Sequence, residues 1–100
     1  MKNLLIFLLF FGSSFALAKD GKGLAQDNGC FACHSVKTKV LGPAFIDISK
    51  KYKNQQGIEL VLMKKIKQGG SGNWGDVPMI AHPNLSDDDL STMVRWVLSL

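Results

Sequence analysis

The sequence predicts an all-α fold, about four short helices in one small domain, and three observations carry that prediction. Apolar residues recur at helical spacing in three stripes: Phe45, Ile48, Tyr52; then Ile58, Val61, Leu62, Ile66; then Leu90, Met93, Val94, Val97. Residues with capping chemistry stand where helices would begin, and glycines stand where they would stop. No alternating run offers a convincing strand.

In chain order, the first segment is Met1-Lys2-Asn3, the apolar run Leu4 to Phe11, and then Ala16-Leu17-Ala18. A charged start, a short apolar stretch and a small-residue ending form the layout of a secretory signal peptide. The run is well short of the roughly 20 residues that a helix needs to cross a bilayer core, so it reads as an export signal and not as an anchor. Residues 1–18 are therefore expected to be removed by a cut after Ala18, leaving 19–100 as an exported domain with no membrane span. That domain of 82 residues sits near the low end of what a hydrophobic core alone can stabilise, so something besides the core is expected to contribute.

Asp20 can cap a first helix over about Lys22 to Asn28, which Gly29 would end. Cys30 then opens a short turn. After Gly42-Pro43 the stripe Phe45, Ile48, Tyr52 makes a short second helix, and a third runs from about Ile58 to Gln68 between Gly57 and Gly69-Gly70. Gly69 to Pro83 is too rich in Gly and Pro to be regular structure and reads as a loop. The last helix begins at Ser86, where Ser86-x-x-Asp89 resembles a capping box and Asp87-Asp88-Asp89 sits on the favourable end of the helix dipole. Its stripe should pack on the first helix, with Trp96 beside it and Ala25 as the small residue at the crossing.

The chemistry concentrates at Cys30-Phe31-Ala32-Cys33-His34. A disulfide here would close so small a loop that it gains little. A thioredoxin-like dithiol needs a strand before the motif in a βαβ pattern, and a zinc site needs four ligands where only His82 remains to join these three. Covalent attachment of haem explains all three residues together. Cysteines three apart on one helical turn project to one side, where their sulfurs can reach two vinyl groups of a single porphyrin, and the histidine that follows can stand under the iron.

A sixth ligand separates an electron carrier from a haem enzyme or sensor with open iron. Met63 and Met93 lie on helical stripes and read as packing residues. Met79 follows Pro78 in the Gly- and Pro-rich stretch, which can wrap round the far face of a haem, and is the expected distal ligand. A thioether opposite the histidine raises the potential and fills the site, as suits a carrier and not an enzyme. Phe31, Val40, Phe45, Ile48, Ile66 and Val77 are the candidates for the dry walls around the iron.

Without residues 1–18 the chain carries eleven basic against eight acidic side chains, a net of +3 spread over several segments. Such a charge suits steering toward acidic partner faces, and nucleic acid is not expected as a partner of an exported protein.

Across essentially the whole of 19–100, the chain resembles the short single-domain class I cytochromes c of bacteria, periplasmic electron carriers to nitrite reductases and oxidases. The resemblance rests on Gly29-Cys30-x-x-Cys33-His34, Lys39-Val40-Leu41-Gly42-Pro43-Ala44, Ile66 through Gly75, Val77-Pro78-Met79, and Ser86-Asp87-Asp88 leading to Trp96-Val97-Leu98-Ser99. It implies the small class I fold, about four helices wrapped around one haem c, with iron between His34 and Met79. It also implies that the Pro43 carbonyl accepts a bond from the free imidazole N–H of His34, and that the Trp74 indole N–H reaches a haem propionate. By the same resemblance the protein would work in the periplasm; a monomer is the default expectation, with the oligomeric state left open by the sequence. Its partners would be redox proteins such as a cytochrome bc1-type donor and a nitrite reductase or terminal oxidase, with Lys37 and Lys39 as steering charges. The segment Ile80-Ala81-His82-Pro83-Asn84-Leu85 departs from the commoner version, which has prolines directly after the methionine. Asn84 is the candidate polar neighbour of the methionine sulfur there, and His82 reads as a solvated loop histidine.

Overall fold

The computed structural model describes Leu5, Ile6, Gly12 and residues 19–100. Apart from those three positions, the expected signal peptide and its cut after Ala18 lie outside the described residues. No described helix is long and apolar enough to cross a membrane.

Four α-helices form the frame: α1 (Gly21–Asp27), α2 (Phe45–Tyr52), α3 (Ile58–Gln68) and α4 (Asp87–Leu98). A single 3₁₀ turn, Cys30–Ala32, follows α1. Each helix starts on its own device. The Asp20 carboxylate accepts from the Gly23 N–H at 2.7 Å, and the Ser86 hydroxyl accepts from the Asp89 N–H at 3.1 Å, so both expected caps are made. By contrast, α2 has no side-chain cap, and its first free N–H groups, those of Phe45 and Ile46, donate instead to the carbonyls of Ser35 and Val36. That exchange folds the segment after His34 back against the start of α2.

Helix α4 is the centre of the packing and touches the other three. Leu90, Met93 and Val94 on its inner face are almost fully buried, and Ala25 of α1 joins Leu90 and Met93 in the core cluster. Full burial of a side chain such as Leu90 contributes about 1.5–3 kcal/mol. Ala25 does lie at the α1–α4 contact, but the tightest approach is one turn earlier, at Gly21. A Cβ there would come within 2.2 Å of the Trp96 Cβ and 2.6 Å of the Thr92 carbonyl oxygen, so only glycine lets the two helices sit this close.

Two polar ties lock the frame. Ser49, fully buried on α2, donates to the carbonyl of Leu98 at 3.1 Å, an acceptor that α4 leaves open at its end, and reaches the main-chain oxygen of Leu100 beyond the helix at 2.9 Å. On the other side of α4, Glu59 of α3 accepts from the Ser91 hydroxyl at 2.5 Å and pairs with the Arg95 guanidinium at 3.0 Å. Nearer the N-terminus, Lys19 and Asp27 form an ion pair across α1.

The stretch after α3 corrects the expectation of an irregular loop. It contains a two-stranded antiparallel ribbon, β1 (Gly70–Gly72) and β2 (Gly75–Met79), joined at Asn73 and Trp74, with Gly70 opposite Met79 and Gly72 opposite Gly75. An isolated ribbon needs no central-strand hydrogen bonds on its outer edges, so Pro78 is tolerated, and its exposed faces need no apolar alternation.

Candidate functional site

The six residues singled out from the sequence, Cys30, Cys33, His34, Pro43, Trp74 and Met79, all line one cavity of about 520 Å³. Its walls come from the 3₁₀ turn, α2, α3, α4 and the ribbon.

At the attachment turn, the N–H groups of Cys33 and His34 both donate to the Cys30 carbonyl, at 3.2 and 2.9 Å. Side chains three apart on a 3₁₀ turn eclipse one another, so both half-buried thiols face the same space. Burial pushes the Cys30 thiol above its ordinary value. That is the opposite of the lowered thiols found in dithiol redox enzymes.

His34 is held on three sides. Its Nδ1 lies 2.7 Å from the Pro43 carbonyl oxygen, which can only accept, so Nδ1 carries the proton and Nε2 keeps a free lone pair. The Phe45 ring stacks on the imidazole, with centroids 5.0 Å apart and planes within 24°. Against its edge lies Gly42, where a Cβ would stand 2.4 Å from Cε1 and 2.8 Å from Nδ1. The Gly42 N–H in turn donates to the Cys33 carbonyl at 2.8 Å, so the loop that supplies Pro43 is tied to the attachment turn.

Met79 ends β2, half-buried, and two backbone features locate it. Gly69 adopts a left-handed φ of 67°, and an added Cβ there would meet the Met79 carbonyl oxygen at 2.5 Å and the Ala81 nitrogen at 2.8 Å. The His82 N–H donates to the Ile66 carbonyl at 3.0 Å, capping α3 while anchoring the chain just beyond Met79. Trp74 sits at the tip of the ribbon, 41 % exposed, with its ring edge to face on Tyr52 at 6.3 Å.

The apolar lining differs in part from expectation. Phe45, Ile48, Ile66 and Val77 are in the walls, but Phe31 and Val40 are not. Phe31 turns the other way, packing on the Ala25–Leu90–Met93 cluster and meeting Phe45 and Trp96 at 5.5 and 6.1 Å. Val40 is 53 % exposed on the loop before Gly42. Their places are taken by Leu41, Leu62 and the inner face of α4, including Met93, which also serves the core as expected. Asn84 lines a neighbouring hollow with Pro83, and Asn28 and His82 border both spaces. Gly42 and Lys65 were not anticipated as site residues, since a glycine before proline reads as a turn and a lysine on a basic helix end reads as solvated.

A mostly hydrocarbon cavity, two thiols on one side of a turn, an imidazole with its outer nitrogen free and a thioether make a donor set suited to a covalently held iron porphyrin. The class this defines is a c-type haem protein. Residues 18–100 match the family model for cytochrome c. Cytochrome c-551 of Pseudomonas aeruginosa is 45 % identical over 85 residues, covering 84 % of this chain and 80 % of the relative. Cytochrome c-552 of Nitrosomonas europaea is 47 % identical over 77 residues, 77 % of this chain and 75 % of that one. The crystal structure of wild-type Nitrosomonas europaea cytochrome c552 superposes with a TM-score of 0.72 at 46 % identity, covering 76 % of this chain and 94 % of that chain. The class 1 cytochrome MtoD of Sideroxydans lithotrophicus gives 0.68 at 28 % identity, covering 79 % and 90 %.

The chain belongs to the cytochrome c family and has its small class I fold. It is an electron-transfer protein and not an enzyme, and its cofactor is haem c with its iron.

Proposed function

We propose that the protein is a periplasmic one-electron carrier in which Cys30 and Cys33 hold the haem by two thioethers and His34 and Met79 are its axial ligands. The observation that carries this reading is the Pro43–His34 hydrogen bond, which leaves the Nε2 lone pair for the iron in a cavity that Met79 also lines. Bound haem supplies one reversible electron at its iron.

The protein's own residues do the rest. Pro43 orients the imidazole and makes it more basic, and the Phe45 ring and Gly42 keep it from turning. Phe45, Ile48, Ile66 and Val77 exclude water and penalise the extra charge of the oxidised state. Trp74, in the cavity wall, would offer its indole N–H to a propionate of the haem. Were His34 and Met79 both to hold the iron, no substrate site would be left at the metal. The chain is exported by a signal peptide cut after Ala18 and acts as a monomer. It takes electrons from a cytochrome bc1-type donor and delivers them to a nitrite reductase or terminal oxidase. Its contacts with them are brief and bury less than about 1,200 Å². Lys37 and Lys39, both exposed, steer the encounters.

The test is the visible spectrum of the holoprotein. A weak far-red ferric band, the mark of a methionine sulfur on iron, is expected and should vanish in Met79→Ala. A haem-bearing protein that lacks the band and binds carbon monoxide readily when reduced would instead have open iron, and Met79 would not be the ligand.

A further inference from the structure

On α2, the Lys51 ammonium lies 4.6 Å from the centroid of the Trp74 ring and 5.1 Å from that of Tyr52. Tyr52 and Trp74 themselves meet edge to face, and both line the cavity, whereas Lys51 does not. The charge therefore stands behind an aromatic wall. Lys50 and Lys53, exposed as Lys51 is, lie over no ring, so the arrangement is particular to Lys51. Among the described residues the ion pairs are Lys19–Asp27, Lys67–Asp87 and Arg95–Glu59, which leaves Lys51 unneutralised by any carboxylate.

We propose that Lys51 is a positioning residue that raises the reduction potential of the haem through Trp74. Two effects act together. A cation drawn over the indole by the ring's negative face spends less time out in solvent, so more of its field reaches the cavity and opposes the added positive charge of the oxidised state. Its grip also couples α2 to the tip of the ribbon, whose two turn residues, Asn73 and Trp74, lie between Gly72 and Gly75 and have little else to hold them. This rests on the reading that Trp74 faces the haem.

The test is redox potentiometry of the holoprotein at low and high ionic strength, on wild type, Lys51→Met, Lys51→Arg, Lys50→Met and Trp74→Phe. Lys51→Met keeps the apolar stem and loses the charge. It should lower the potential, with the gap to wild type narrowing as salt screens the charge. Lys51→Arg keeps a cation that stacks on aromatic faces and should restore the wild-type value. Lys50→Met removes the same charge from the same helix and should move the potential less than half as far. Equal shifts at positions 50 and 51 would overturn the proposal, as would an arginine variant that falls with the methionine one. Trp74→Phe separates the two readings. If it shifts the potential while Lys51→Met does not, only the proposal for Lys51 fails; if it leaves the potential unchanged, the assignment of Trp74 fails and takes the proposal with it.

Discussion

The two sides of the cavity are built on different principles. Helices α1, α2 and α4 bury residues against one another, and Leu90, Val94 and Ser49 disappear from solvent without help from any ligand. From Glu59 to Asp89, by contrast, no residue is buried, although this stretch supplies Met79, Trp74 and one whole wall. One side is packed on itself. The other is shaped by glycine turns, backbone ties such as His82 N–H to Ile66, and whatever fills the cavity.

Blocking attachment is the largest test of that contrast. A Cys30→Ala/Cys33→Ala chain cannot form thioethers, and an unfilled cavity of about 520 Å³ would cost up to about 12 kcal/mol at roughly 24 cal/mol per Å³. This is an upper bound, since water enters through the mouth, yet it is comparable to the whole stability of a small domain. Most of the far-UV helical signal should be lost, and amide exchange should be unprotected over residues 70–85. A native-like helical spectrum would mean that the buried side suffices alone.

Next comes Leu90→Ala, in the middle of the buried side. It should destabilise the holoprotein by about 2–5 kcal/mol, read as a clear fall in thermal midpoint with the haem spectrum unchanged. The same truncation at Leu60, 72 % exposed on α3, should stay within about 0.5 kcal/mol. Equal losses at the two positions would show that burial does not distinguish the regions.

This division also explains what the sequence disclosed. Helix α3 was legible because Gly57 and Gly69 bracket an apolar stripe, and α4 because Ser86 and three aspartates announce its start. The cavity residues were legible because covalent chemistry imposes a fixed spacing on Cys30, Cys33 and His34. The ribbon was not legible, since its strands face solvent on one side and the cavity on the other and so carry no alternating pattern. Nor was the inward turn of Phe31, because a three-residue 3₁₀ turn has no period from which to infer a side. Gly21 gave no hint of the close approach to Trp96, a contact between elements some 75 residues apart in the chain.

A smaller effect is expected at Ser49. Ser49→Ala would leave the Leu98 and Leu100 carbonyls without their buried donor, at a cost of about 1–3 kcal/mol, since water replaces it poorly there. Chemical denaturation should show a lower midpoint with an unchanged slope. No change in midpoint would mean that the end of α4 finds other donors and that α2 is held by Phe45 alone.

The smallest expected effect lies at the junction between the two regions, where Glu59 joins the start of α3 to α4. The Ser91 hydroxyl bond, and then the Arg95 pair, hold its carboxyl below the ordinary glutamate value of 4.5. A lowered folded-state value means that the unfolded chain binds the proton more readily, so this site stabilises the fold above the ordinary value. That contribution is lost as pH falls from about 4.5 through the lowered value. Glu59→Gln should therefore lower the thermal midpoint at neutral pH and converge with wild type in acid, with the gap shrinking in high salt because the Arg95 side chain is exposed. A gap that persists unchanged into acid would assign the residue's role to packing between α3 and α4 and not to its charge.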